Sequence, residues 1–170
     1  MLRALACMAV TAAGAGLGWW MGERCRTRAA QLEACDLLLA RLQSRLTAER
    51  LTTRELLLQG AESPRLSGLP FLSLAAEGLS QGTPFPQAWA QALTASRSSL
   101  ALAGEDWTPL EALGEILGAA EGERQAEELG LLRELLGERI ADAREQCRVK
   151  GKLSASLGFL GGAALGILLI

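Results

Sequence analysis

The residues of this chain that could do chemistry are four cysteines and a large set of acidic side chains. The chain has 19 Asp and Glu residues, 17 Lys and Arg residues, and neither histidine nor tyrosine. The cysteines are Cys7, Cys25, Cys35 and Cys147. Their spacing differs from the close pairs, about two to four residues apart, that typify structural zinc sites. We therefore expect no metal site.

The absence of histidine argues against an enzyme. Triad-type nucleophilic catalysis usually takes histidine as its base, and the chain has no G-x-x-x-x-G-K-[ST] loop for nucleotide phosphates, since Gly151-Lys152 is an isolated pair. Two carboxylates could form an acid/base pair, but their spacing on helix-forming sequence is typical of a solvated face. We predict a non-enzymatic protein without catalytic residues, metal or cofactor, whose energy-driven steps, if any, depend on a partner.

Two uncharged apolar segments, residues 4–22 and 153–170, flank a polar region at 24–152. A helix needs about 20 such residues to cross a bilayer core of about 30 Å. The pattern predicts a transmembrane helix at each end and one helical domain between them, anchored in the lipid bilayer. The predicted fold class is all-α, a membrane hairpin of two spans that carries a helical bundle.

Basic residues lie on the inner side of both apolar segments. Arg24, Arg26 and Arg28 follow the first, and Arg144, Arg148, Lys150 and Lys152 precede the second. Because basic residues stay on the cytoplasmic side, we predict a cytoplasmic domain with both termini across the membrane. Its cysteines would stay reduced there.

A cleaved signal peptide is the alternative for the first segment. Ala13-Gly14-Ala15 would be its cleavage site, and the domain would then be exported, which the flanking basic residues oppose.

The domain also lacks a basic stripe, so we expect no nucleic acid partner.

Glycines recur every four residues in both predicted spans. Small residues on one face let helices approach closely in lipid, which predicts packing of the spans through these faces, although glycine is also common in membrane helices generally. The residues are Gly14, Gly18 and Gly22 in the first span, and Gly158, Gly162 and Gly166 in the second.

The region between the spans has helical periodicity and no strand pattern. One apolar seam predicts a long helix from residue 29 to about 50, through Leu32, Cys35, Leu39, Leu42 and Leu46. A second predicts a helix from residue 123 to about 150, through Leu129, Leu132, Leu136, Ile140, Ala143 and Cys147. We expect these two helices to lie side by side.

Capping and breaking residues predict shorter helices between the two long ones. Thr52-x-x-Glu55 has the form of a capping box and opens a helix that ends at Gly60. Further helices are predicted at residues 72–80, 86–95 and 108–117, because proline near a helix start and glycine after its end mark their bounds. Residues 63–69 and 118–122 are predicted as loops.

The segment from residue 110 to 125 resembles the stage III sporulation protein AB family. It contains Leu113-Gly114 and Leu117-Gly118, followed by Glu121 and Gln125. The resemblance extends to Ala88-Trp89, to the first apolar segment and to Leu157-Gly158, and so covers essentially the whole chain.

This resemblance implies a scaffold subunit of the membrane apparatus between mother cell and forespore. The soluble part looks like the cytoplasmic domain of type II secretion platform proteins, and the implied partners are other membrane subunits and a cytoplasmic ATPase resembling stage III sporulation protein AA. The alternative is a membrane-anchored signalling adaptor that binds a regulatory protein.

An acidic segment overlaps the part that best matches the family. We predict that it docks the ATPase, with charges that mainly set association rate; the alternative is that these acids only stabilise a helix N-terminus. We name this segment the acidic patch, and it comprises Glu121, Glu123, Gln125, Glu127 and Glu128.

Overall fold

The computed structural model describes residues 2–48, 53–118 and 122–168. Side chains are described at positions 22–45, 55, 57–118 and 124–149. Within these ranges the chain forms α-helices and no strand, which confirms the all-α prediction. The helices are α1 (Leu2–Ala48), α2 (Thr53–Ala61), α3 (Phe71–Ser80), α4 (Phe85–Ser96), α5 (Thr108–Gly118) and α6 (Gly122–Leu168), with a 3₁₀ turn at Gly104–Asp106.

Helix α1 continues through residues 4–22, and helix α6 through residues 153–168. Among the side chains that are described, no helix has a stretch long and apolar enough to cross a bilayer. The side chains of residues 4–21 and 153–170 lie outside the described part, so the predicted packing of Gly14, Gly18, Gly158, Gly162 and Gly166 lies there too. Gly22 is described, and a Cβ added to it would meet nothing within 4 Å.

The chain divides into two compact units. One comprises residues 1–27 and 142–170, and the other is Arg28–Ala141. In the second unit α1 and α6 run side by side in opposite directions. The Arg133 guanidinium binds the Asp36 carboxylate at 3.0 Å, and the Gln43 amide donates to the Ala126 carbonyl at 3.1 Å. The prediction that the two long helices lie side by side is therefore confirmed within this unit.

The predicted seam of α1 forms the centre of the core. Leu32, Cys35, Leu39 and Leu42 are each at most 2% exposed, while the side chain of Leu46 lies outside the described residues. On α6 only every second member of the predicted stripe is fully buried. Leu129, Leu136 and Ala143 have no exposed surface, whereas Leu132, Ile140 and Cys147 are half-buried.

The shorter helices begin and end close to the predicted positions. Helix α3 ends in a Schellman arrangement, in which the Thr83 amide donates to the Gly78 carbonyl and the Gly82 amide to that of Leu79, both at 3.1 Å. Gly82 has a φ of 84°, a left-handed conformation that glycine adopts without a Cβ clash. This sharp ending turns the chain directly into α4. The turn predicted at residues 118–122 is shorter in the structure, because Gly118 ends α5 and Gly122 begins α6. Residues 119–121 and the predicted cap at Thr52 lie outside the described part.

Candidate docking surface

The residues that resemble the sporulation family form the contact between α4 and α5. Trp89 of α4 is 1% exposed, and its indole Nε1–H donates to the Leu110 carbonyl of α5 at 2.7 Å. A Cβ added to Gly114 would lie 2.7 Å from Trp89 Cδ1, closer than real Cβ atoms come. Glycine at position 114 therefore lets the indole pack this closely against α5.

The second glycine of the motif has the same role one helical turn later. A Cβ added to Gly118 would lie 2.7 Å from Pro86 Cγ. Because residues four apart lie on one helix face, Gly114 and Gly118 form a smooth strip on α5 that accepts the first two turns of α4. The motif is thus a helix-packing motif.

Two further aromatic rings complete this packing. The Phe71 ring of α3 meets the Trp89 indole edge-on, with centroids 5.3 Å apart. The Phe85 ring stacks on the same indole with centroids 5.7 Å apart. Such pairs contribute about 0.5–1.5 kcal/mol beyond the area they bury. Trp89 therefore joins α3, α4 and α5 into one layer.

Gln125 connects the end of α5 to the start of α6. Its side chain is 8% exposed, and its amide donates to the Ile116 carbonyl at 3.1 Å. That carbonyl belongs to the last turn of α5, where backbone acceptors lack partners within the helix. Gln125 thus holds the start of α6 against the motif helix from inside the domain.

Two further members of the acidic patch, Glu127 and Glu128, lie on α6. Glu127 is exposed, and Glu128 is half-buried and pairs with Arg124 at 3.3 Å. Glu121 and Glu123 have side chains outside the described residues. Among the residues whose side chains are described, no group of acidic residues and cysteines could hold a metal ion. The role of the acidic patch in docking stays a prediction.

A cleft lined in part by two arginines lies between α1, α2 and the loop that follows α2. It has a volume of about 360 Å³. Arg41, Arg45 and Gln59 form its polar lining, and Arg45 donates to the Gln59 carboxamide oxygen at 2.6 Å. Its lining is otherwise apolar, from Leu38, Leu42, Gly60 and Leu66. The domain therefore presents basic as well as acidic surface.

One of the predicted membrane-flanking arginines has a different role. Arg28 binds Asp106 through two hydrogen bonds, Nε to Oδ2 at 2.6 Å and Nη2 to Oδ1 at 2.8 Å. The Asp106 side chain has no exposed surface, and that of Arg28 is 15% exposed. Arg28 is thus neutralised inside the domain, whereas Arg24, Arg26, Arg144 and Arg148 are exposed.

The structure differs from the expectation of reduced cysteines at one pair. Cys25 of α1 and Cys147 of α6 form a disulfide with a Cα–Cα distance of 5.5 Å. The prediction rested on the compartment and took no account of the pairing of the two helices, which brings the sulfurs together. A sequence signal existed, since Cys25 lies one heptad before Leu32 and therefore extends the α1 seam, and Cys147 lies on the predicted α6 stripe. Cys35 is a buried thiol.

The α4–α5 contact makes a testable prediction about Gly114. Alanine at this position would push against the rigid indole, and overpacking costs about 1–3 kcal/mol, while the better helix propensity of alanine returns about 1 kcal/mol. We expect Gly114→Ala to lower the midpoint of thermal unfolding, measured by circular dichroism on the full chain in detergent. Gly137→Ala is the matched control, because a Cβ there meets nothing within 4 Å, and it should raise the midpoint. Equal effects of the two substitutions would contradict the packing role.

Comparison with known proteins gives one family. The family model described as stage III sporulation protein AB matches residues 3–170. A solved structure described as stage III sporulation protein AB is similar in fold, with a TM-score of 0.64 and 21% sequence identity, over 72% of this chain and 97% of that one. At this identity the likeness concerns the fold alone. No curated protein matches the chain.

Proposed function

Because this chain belongs to the stage III sporulation protein AB family, we propose that it is a membrane platform subunit of a secretion-like complex between mother cell and forespore. In this proposal it is not an enzyme, and its helical domain docks a cytoplasmic ATPase resembling stage III sporulation protein AA. The family match carries the proposal, since it includes both apolar ends and the whole helical domain.

The exposed arginines support a membrane location with the domain in the mother-cell cytoplasm. Arg24 and Arg26 follow the first apolar segment, and Arg144 and Arg148 precede the second. All four are exposed, and Arg148 pairs with Glu145 at 2.7 Å. Exposed cations at this position can meet anionic lipid headgroups. With Arg28 bound to Asp106 inside the domain, the orientation rests on these four arginines and on Lys150 and Lys152, whose side chains lie outside the described residues.

The position of the acidic patch supports docking at the start of α6. Gln125 ties this helix start to α5 from inside, so the exposed Glu127 is held on a rigid element. A rigid charge keeps its position before a partner arrives, which favours association without an ordering cost. The alternative is that the acids only stabilise the helix through its dipole, by about 0.3–1 kcal/mol for each acid. This effect accounts for acids in the first turn of a helix and weakens beyond that turn.

The docking proposal predicts that charge reversal at Glu127 weakens ATPase binding. We expect Glu127→Lys to slow association of the full chain in nanodiscs with the purified ATPase severalfold at low salt, and less at high salt, because screening removes rim electrostatics. Biolayer interferometry would give the association and dissociation rate constants. The control is Glu138→Lys, an equally exposed acid farther along α6, which should bind as the wild type does.

Three outcomes would contradict parts of this proposal. Equal loss for both variants would indicate a general charge effect without a defined patch. Undiminished binding of Glu127→Lys would place the interface elsewhere on the domain. Stable binding of a regulatory protein in place of the ATPase would favour the signalling adaptor.

A further inference from the structure

The disulfide between Cys25 and Cys147 joins the two long helices beside the segments predicted to span the membrane. Cys25 lies within one helical turn of the end of segment 4–22, and Cys147 within two turns of the start of segment 153–170. The two residues are 122 positions apart in sequence and 5.5 Å apart between their Cα atoms, a usual distance for a disulfide. Both belong to the compact unit of residues 1–27 and 142–170.

We propose that Cys25 and Cys147 are a reversible redox pair, a site of thiol oxidation that ties the two juxtamembrane helix segments together. The proposal rests on the cytoplasmic location given under the proposed function. Cytoplasmic thiols are kept reduced, and disulfides that form there are usually transient. A bond seen between two helices at a reducing site is therefore one that is made and broken.

The two sulfurs differ in accessibility. Cys25 is 8% exposed, and its Sγ lies 3.7 Å from the Ala143 carbonyl oxygen. Cys147 is half-buried, so a small reagent reaches its sulfur more easily. Cys147 is thus the sulfur that reacts first, and Cys25 the one that resolves.

Oxidation proceeds by thiol–disulfide exchange with a low-molecular-weight disulfide. The Cys147 thiolate attacks one sulfur of this disulfide, a mixed disulfide forms, and one small thiolate leaves. The Cys25 thiolate then attacks Cys147 Sγ and expels the second small thiolate. The two protons lost by the cysteines end on the two small thiols, so two protein thiols and one small disulfide give one protein disulfide and two small thiols.

Cys35 lacks the properties of the pair. It is fully buried, and burial, followed by the negative charge of Asp106, raises its pKa to about 12. It therefore stays protonated at physiological pH and is inert toward disulfides. Among the cysteines whose side chains are described, oxidation is confined to Cys25 and Cys147.

Oxidation changes what holds α1 and α6 together at the position of Cys25 and Cys147. In the oxidised state a covalent bond fixes them at 5.5 Å between Cα atoms, and in the reduced state they are held by noncovalent contacts alone. The pair thus sets whether the helices can separate where they approach the membrane.

A protease site in the loop between the two cysteines tests this proposal. The site is inserted between Ser67 and Gly68, both exposed, in the full chain in its native membrane. Thiols are trapped with N-ethylmaleimide at harvest, the chain is cut, and the fragments are separated on a non-reducing gel. We expect separate fragments at harvest, joined fragments after oxidised glutathione is added before trapping, and separate fragments again after dithiothreitol.

The variants assign the bond. Cys25→Ser and Cys147→Ser should each abolish joining, and Cys35→Ala, the matched control, should leave it unchanged. Fragments that stay apart with oxidised glutathione would overturn the proposal, as would disulfide-linked dimers of the uncut chain.

Fragments already joined at harvest would also overturn it, because the bond would then be permanent. A cytoplasm-dependent reporter in the same loop separates this failure from that of the location. An active reporter leaves the cytoplasmic location standing, and an inactive reporter removes both. If the chain shows the expected thiol–disulfide exchange but does not bind the ATPase, only the docking proposal is contradicted.

Discussion

Replacing Trp89 by alanine is expected to remove much of the stability of the helical domain. The indole is 1% exposed, and truncating a buried tryptophan costs about 3–5 kcal/mol. The lost hydrogen bond to the Leu110 carbonyl adds about 0.5–1.5 kcal/mol. Since domains are stable by only about 5–15 kcal/mol, urea unfolding of the full chain in detergent should show a much lower midpoint.

The contact with Gly114 provides a sharper test in the same experiment. In the wild type, Gly114→Ala is expected to destabilise because the added Cβ meets the indole. In the Trp89→Ala background the ring is gone, so the same substitution should stabilise through helix propensity, by up to about 1 kcal/mol. Residues in contact show such non-additivity, whereas distant ones do not. A destabilising effect in both backgrounds would mean that Gly114 is needed for a reason other than Trp89.

The helices and their buried faces could be predicted from the sequence because their signals are local. Leucine spacing identified the α1 seam, and proline and glycine marked the bounds of α3, α4 and α5. The family motif was visible as a pattern, but its physical reason was not. Gly114 faces Trp89 because of the angle at which α4 crosses α5. The residue spacing within either helix does not predict this angle.

The contacts that the sequence did not reveal concern residues whose partners are distant in sequence. Arg28 was assigned to the membrane flank because it follows an apolar segment, yet its partner Asp106 is 78 positions away. Cys25 and Cys147 are separated by 122 positions. In both cases the assignment followed from nearby residues in the sequence. The structure instead shows a contact with a residue far away in the sequence. Gln125 was assigned to a docking surface by its place in the motif, and the structure gives it an internal contact.

The Arg28–Asp106 pair makes the second prediction of large effect. The Asp106 carboxylate accepts two hydrogen bonds from Arg28 and a third from the Ala103 backbone amide at 2.7 Å. The pair joins α1 to the 3₁₀ turn that leads into α5. Removing one partner of a buried ion pair costs about 3–5 kcal/mol, because the other charge is left without compensation.

The two single substitutions should differ in size. Arg28→Met leaves a carboxylate with no exposed surface, whereas Asp106→Asn leaves a guanidinium that is 15% exposed and can be hydrated on one side. We therefore expect Arg28→Met to lower the free energy of unfolding more than Asp106→Asn does, with urea midpoints as the measurement.

The double variant Arg28→Met with Asp106→Leu decides whether the pair stabilises the domain or only avoids an isolated charge. Replacing a whole buried pair with apolar residues is often neutral, although here the Ala103 amide loses its acceptor, which costs about 1–3 kcal/mol. We expect the double variant to be more stable than Arg28→Met alone. If it is less stable, the pair contributes net attraction well beyond its desolvation cost, and the hydrogen bonds from Arg28 hold the 3₁₀ turn in place in a way that apolar packing cannot reproduce.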